Sequence, residues 1–293
     1  MKKKILITLT TIACAVLLVV GSVAGTMAYL RATASVTNTF TYGKIAITMD
    51  ETAINPADGM TPLAGAARVT GNTYKLMPGT LYTKDPQIHI SADSEDLFLF
   101  VKIDNGVAGL AATDDGNYKT IHQQMLANGW NVLPYINVDA EGEASFDATK
   151  SYYNVIHTAT NAGLTMEATS TVYFYGSFNG TIPMPTVVSN QIQVVNNDLQ
   201  GTTNLPVGTV PTFTKFKLMS DAATEGSLTV YVNNDAKIVV QAYAVQASGF
   251  VTEANQEINT FVDAANLFAS SWTSAAPSAL DDENSTPGVE ENT

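Results

Sequence analysis

The run Asp96 to Asp104 constrains this chain more than any other stretch. Leu97, Leu99, Val101 and Ile103 fall on one face of an extended strand there, and Phe98 and Phe100 fall on the other. Successive side chains of a strand point to opposite faces. A run that is apolar on both faces therefore needs cover on both sides and belongs in the middle of a sheet. A second run, Lys237 to Val245, sets Ile238, Val240, Ala242 and Ala244 on one face. With 45% of the chain hydrophobic and only 14% charged, a sizeable core is affordable.

Between and around these runs lie shorter β-prone segments. They are Gln87 to Ile90, Ser151 to His157, Thr171 to Phe178, Val187 to Val195, Thr212 to Leu218 and Ser227 to Val232. Asn55 to Thr73 reads as a loop, and Pro78-Gly79 as a turn. Two segments have helical spacing. Thr120 to Asn128 has a candidate N-cap in Thr120. Glu253 to Phe268 carries Ile258, Phe261, Val262, Ala265 and Phe268 on one stripe. No alternating βαβ pattern is present. The expected fold is all-β, a jelly-roll-like antiparallel β-sandwich with two short helices.

The N-terminus has its own logic. Lys2, Lys3 and Lys4 precede an apolar run from Ile5 to Val20, broken by Gly21-Ser22. This is the layout of a secretory signal peptide, and the run is short for a membrane span, which needs about 20 residues. Small residues at Thr26-Met27-Ala28 suit cleavage after Ala28, leaving Tyr29 as the new terminus. Ala32-Thr33-Ala34 is a competing site, and a retained anchor is the alternative to a leader. The expected organisation is a signal peptide over residues 1–28, a β-sandwich domain over 29–274 and an acidic, disordered tail over 275–293. After the leader, Val36, Asn38, Phe40 and Tyr42 alternate with Ser35, Thr37, Thr39 and Thr41, a period of two. The parity flips at Gly43-Lys44, so that Ile45, Ile47 and Met49 become the apolar set, as a bulge or bend would require.

Charge and cysteine usage exclude several classes. The net charge is −13, and loss of Lys2, Lys3 and Lys4 with a leader takes it to −16. Such a surface is repelled by nucleic-acid phosphate and anionic lipid, so no nucleic acid is expected as a partner, and no membrane once the leader is gone. The single cysteine, Cys14, sits inside the apolar run, so the exported chain holds no thiol for a disulfide or a nucleophile.

A search for chemistry finds little. His89, His122 and His157 belong to no HExxH pair. Asp93, Glu95 and Asp96, then Asp104, Asp114 and Asp115, are loop carboxylates without EF-hand spacing, and read as solvated loops. The aromatics Tyr152, Tyr153, Tyr173, Phe174 and Tyr175 suit core packing better than a glycan face. No catalytic residue, metal ligand or cofactor site is expected, and the chain reads as no enzyme.

Three segments together resemble a known family. They are GTMAYL running into SVTNTFTYGKIAITMDE, KLMPGTLYTKDPQIHI followed by DLFLFVKIDN, and KIVVQAYAVQASGF. These resemble the TasA/camelysin (CalY) family of secreted Gram-positive biofilm-matrix proteins, processed by the signal peptidase SipW. The segment from about Gly106 to Pro211 carries no family pattern. The resemblance implies a jelly-roll sandwich, a SipW-type signal peptidase as processing partner, and an extracellular matrix or cell-surface role. It also implies self-association into fibres, with Tyr29 to Phe40 donated as a strand to a neighbouring subunit. Val36, Asn38, Phe40 and Tyr42 are the candidate assembly residues. The alternatives are pairing of this strand within its own subunit, a monomeric adhesin or carbohydrate-binding module, and a camelysin-like metalloprotease.

Overall fold

The computed structural model describes residues 44–138, 144–151, 154–161, 164–198, 201–220 and 236–247. It also describes Leu228, Tyr231, Val232, Phe261, Val262, Ala265, Asn266, Phe268, Ser278 and Ala279. The strands are β1 (Ile47–Asp50), β2 (Leu81–Thr83), β3 (Gln87–Ile90), β4 (Leu97–Asn105), β5 (Trp130–Val132), β6 (Pro134–Val138), β7 (Ala144–Ser151) and β8 (Asn154–Asn161). They continue as β9 (Leu164–Asn179), β10 (Ile182–Pro185), β11 (Val195–Asp198), β12 (Gly201–Asn204), β13 (Thr209–Pro211), β14 (Lys215–Lys217), β15 (Ile238–Gln246) and β16 (Ser278–Ala279). A helix, α1 (Ile121–Ala127), interrupts them. Every strand pair among these is antiparallel. The fold is an all-β antiparallel sandwich.

Two sheets enclose the main core. One has the order β1–β3–β13; the other follows the path β10–β9–β4–β15, with β5 and β8 also paired to β9. Ile88, Ile90 and Val210 from the first sheet meet Leu97, Leu99, Val101, Ile103 and Tyr173 from the second. The opposite face of β4 is covered too. Phe98 and Phe100 pack with Leu133, Ile136, Phe174, Phe261, Val262 and Ala265. The Phe261 ring lies 5.2 Å from Phe100, 5.6 Å from Phe98 and 5.4 Å from Phe174. So β4 is apolar on both faces because it forms part of a middle layer, as its sequence predicts. Each such phenyl contributes about 1.5–3 kcal/mol of burial.

The predicted helix at 120–128 is α1. The Thr120 side chain accepts a hydrogen bond from the Gln123 backbone N–H, and the Gln123 side chain accepts one from the Thr120 N–H, which closes a capping box. Of the second predicted helix, Phe261, Val262, Ala265, Asn266 and Phe268 are helical and the rest lies outside the described residues. Ser278–Ala279 pair with Lys150–Ser151, and the remainder of segment 275–293 lies outside the described residues, as do the leader and Tyr29 to Tyr42.

Three strand expectations change. Ser227 to Val232 is not a strand where it is described: Leu228, Tyr231 and Val232 are helical. Leu228 and Tyr231 both join a cluster with Tyr82, Phe216 and Leu218. Helical spacing puts positions three apart on one face, whereas a strand would send them to opposite faces. Of Thr212 to Leu218 only Lys215–Lys217 is a strand, β14, and Leu218 makes a single bridge to Ala111. Pro211 ends β13, and Gln124 of α1 takes the place of a strand partner. Its Oε1 accepts from the Thr214 and Lys215 backbone N–H groups at 3.0 and 3.1 Å. Val187 to Val195 contributes only a bridge between Val188 and Leu97 before β11 begins.

Candidate functional site

A strand with one neighbour presents a row of unpaired backbone groups on its other flank. Among the described residues, β15 is paired only with β4, β10 only with β9, and β1 only with β3. These three flanks differ in how they are finished.

On β10 the flank is blocked by proline. The Thr186 N–H donates to the Tyr175 carbonyl at 2.9 Å, so position 186 and its alternates 184 and 182 face β9. Pro183 and Pro185 occupy the outward positions, where a missing N–H removes nothing from the ladder and denies a partner its donor.

On β1 the flank is closed at one end. Glu51 and Val69 exchange backbone hydrogen bonds at 2.7 and 2.8 Å. Arg68 clamps the same region. Its Nε donates to Asp50 Oδ1 at 2.5 Å, Nη1 donates to Asp85 Oδ2 at 2.9 Å, and Nη2 donates to the Asp50 and Asp85 carbonyls. His89 Nε2 lies 2.9 Å from Asp50 Oδ1 and its Nδ1 lies 3.2 Å from the Thr209 hydroxyl. Partial burial opposes ionisation of Asp50, but His89 and Arg68 outweigh it and hold the carboxyl below the usual carboxylate range.

On β15 neither device is present among the described residues. The Lys237 carbonyl accepts from the Gly106 N–H, and the Ala247 N–H donates to the Asp96 carbonyl at 2.9 Å. Odd-numbered positions therefore face β4, and Ile238, Val240, Ala242 and Ala244 turn their backbone groups to the outer flank. Nothing on Ile238–Gln246 is a proline or a charged residue. The side chains of Ile238, Val240, Ala242 and Ala244 rim the main core and are only partly covered. Ile45, Ile47 and Met49 rim the same core from the other sheet, also half-covered.

These two rims run antiparallel to each other. Near the loop before β4, the Glu95 N–H donates to the Lys44 carbonyl and Asp96 accepts from Ala247, which brings the start of β1 and the end of β15 to one place. At the opposite end, Met49, Asp50 and Glu51 share a cavity of about 560 Å³ with Lys237, Ile238, Val239 and Val240. Tyr74, Phe216 and Tyr231 add aromatic surface to it. Lys84 and Glu51 also line it, joined by a buried ion pair of 2.7 Å, with their side chains 10% and 5% exposed. Asn72 donates to Glu51 at 2.9 Å. Burial, reinforced by the Glu51 charge, pushes the Tyr74 phenol well above its ordinary pKa. Gly106 permits the close approach at this corner, since a Cβ there would lie 2.6 Å from the Lys237 carbonyl oxygen.

The described residues therefore form an apolar slot beside a β edge that has no strand partner among them, with acidic residues at one end and an amphipathic cavity at the other. The predicted assembly residues Val36, Asn38, Phe40 and Tyr42, and the cleavage pair Ala28 and Tyr29, lie outside the described residues. His89 points away from Ile88 and Ile90, as the alternation predicts, and meets Asp50. His122 lies 3.1 Å from the Tyr173 hydroxyl. The His157 side chain lies outside the described residues. Asp93, Asp114 and Asp115 each pair with a lysine (Lys44, Lys119 and Lys217), and Asp104 accepts from Ser170. No three His, Asp or Glu side chains among the described residues group as a metal site would need. Tyr173 and Phe174 are buried in the core, and Tyr175 stands edge-on to Trp130 at 5.2 Å. No helix among the described residues is long and apolar enough to cross a membrane.

The arginine clamp and the Glu51–Lys84 pair are absent from the sequence reading. Their partners lie 17 to 33 positions apart, beyond any local pattern. The Pro183 and Pro185 pair did carry a signal, since prolines two apart in a β-prone run mark an edge strand. Comparison with protein-family models, curated proteins and solved structures finds no match.

Proposed function

We propose that this chain is a secreted structural subunit of an extracellular matrix or cell surface. It is exported by cleavage between Ala28 and Tyr29 and assembles into fibres by donating residues 29–42 as a strand to a second copy. The observation that carries the reading is the contrast between flanks among the described residues: β10 is blocked by Pro183 and Pro185, β1 is closed at Glu51, and β15 has no outer partner above a half-covered core. Native proteins blunt edges that are to stay unpaired. An added strand satisfies the outward backbone groups and covers the alternate apolar side chains beside them. The segment Ser35 to Tyr42 has the alternation such a strand needs. At about 3.3 Å per residue, residues 29–42 extend over about 45 Å, enough to reach a neighbour. The likeness of the N-terminal segment to the TasA/camelysin family supports the same reading from the sequence side.

The experiment compares purified protein beginning at Tyr29 with protein beginning at Gly43. The longer form polymerises, as followed by light scattering and electron microscopy, and the shorter form stays monomeric with the same circular dichroism. Equal behaviour of the two forms defeats the reading.

A further inference from the structure

The inference rests on strand donation and specifies how the donated strand lies. We propose that residues 34–42 of a second copy add to β15 antiparallel, with Tyr42 opposite Ile238, Phe40 opposite Val240, Asn38 opposite Ala242 and Val36 opposite Ala244. In this arrangement the aromatic end of the donor reaches the cavity beside Glu51 and Lys84, and its basic end reaches the acidic loop before β4.

Four observations lead there. First, every pair described in the chain is antiparallel, and antiparallel ladders are the more stable per residue. Second, the parity is forced. The outward backbone groups of β15 belong to Ile238, Val240, Ala242 and Ala244, whose side chains also face the core. A partner must set its own apolar face against them, and in the donor that face is Val36, Asn38, Phe40 and Tyr42. A one-residue slip would put threonines into the slot instead. Third, the sizes match along the slot. The larger donor residues fall at the cavity end, where 560 Å³ is open, and Val36 and Asn38 fall against the small Ala244 and Ala242. The cavity suits a tyrosine, which brings an apolar ring and a hydroxyl that needs a partner when buried. Met49, Ile238 and Val240 supply apolar surface there, and Lys84 has ammonium donors beyond the one given to Glu51. Fourth, the charges match. The one charged residue in 29–42 is Arg31, and export adds the α-amino group of Tyr29. In this register both lie past the end of β15, on the side where Asp96 accepts from Ala247, with Glu95 and Asp96 exposed.

Disulfide mapping tests the arrangement, because the exported chain has no thiol of its own. Subunits beginning at Tyr29 and carrying one donor cysteine, Phe40→Cys or Val36→Cys, are mixed with subunits carrying one acceptor cysteine, Val240→Cys or Ala244→Cys. Opposed positions of an antiparallel pair are about 5.5 Å apart, within disulfide reach. Cross-links are expected for Phe40→Cys with Val240→Cys and for Val36→Cys with Ala244→Cys, and not for the exchanged pairs. Cross-linking only of the exchanged pairs overturns the orientation while strand donation stands. Polymer without cross-links in any pair overturns β15 as acceptor. A double Phe40→Cys/Val240→Cys chain that closes only on itself, as monomer, overturns exchange between copies. Absence of polymer from unmodified protein beginning at Tyr29 removes the underlying reading itself. Tyr42→Ala raises the critical concentration for polymerisation about tenfold or more, as loss of an aromatic anchor does, and Tyr42→Phe does so by less. An unchanged critical concentration in Tyr42→Ala overturns the cavity as its seat.

Discussion

The strands β10 and β15 both end the path of the larger sheet, yet one is sealed by prolines and the other has no outer partner among the described residues. Pro183 and Pro185 stand at the positions of β10 that face outward, so a would-be partner finds no donors there. On β15 the same outward positions are Ile238, Val240, Ala242 and Ala244, each with its backbone N–H intact and its side chain half-covered. The difference teaches that edge blocking is a property of single strands, set by which residues fall on the outward positions. A sheet whose edges were neglected would leave both strands alike. Among the described residues the prolines stand on the outward positions of β10 and not on those of β15, which keeps apolar residues of strand-forming type.

Transferring the β10 device to β15 is the strongest way to break the contrast. Ala242→Pro removes an outward N–H without touching the ladder to β4. It is expected to abolish polymerisation of protein beginning at Tyr29 while circular dichroism of the monomer is retained; continued fibre growth would show that β15 is not the acceptor. The next largest effect concerns the cavity end of the slot. Glu51→Ala leaves the Lys84 ammonium buried without its carboxylate, a loss of about 3–5 kcal/mol, read as a lower urea midpoint. Replacing both partners by apolar residues should recover much of it.

The reverse transfer is milder. Pro183→Thr with Pro185→Thr opens β10, and the form beginning at Gly43 should then self-associate on concentration, seen as rising light scattering where the parent shows none. A smaller effect follows acid. The folded Asp50 carboxyl binds its proton less readily than in the unfolded chain, because His89 and Arg68 favour the charged form despite partial burial. Lowering the pH therefore favours unfolding. The contribution is complete above about pH 5 and is lost as the pH falls below the usual carboxylate value of about 3.9. Asp50→Asn should flatten that part of the stability profile, measured by urea titration at several pH values. Smallest is Gln241→Lys, at an exposed position of β15 away from the cavity. It should change stability by less than about 0.5 kcal/mol, leaving the monomer as it was.

The elements legible in the sequence are those set by a local pattern and buried accordingly. The two apolar faces of β4 require a layer on each side, and Ile88 and Phe261 supply them. The apolar set of β15 was readable by its period of two, and α1 by its cap. The segment Ser227 to Val232 misled because β-prone residues there serve a helical turn, whose spacing brings Leu228 and Tyr231 to one cluster. The candidate site was legible only in halves. The alternation of the proposed donor could be seen, but the proposed acceptor depends on which described strands lack neighbours, and strand order joins residues far apart in the chain.

The chain's own sequence determined that strands alternate, which of them need cover on both faces, and that prolines occupy part of one of them, because side-chain size, polarity and proline's missing N–H act within a few residues. Which flank is open, how Arg68 and Lys84 find their carboxylates, and where a cavity stands beside β15 were decided by tertiary structure alone. Backbone hydrogen-bonding direction and burial become defined only once distant strands have taken their places beside one another.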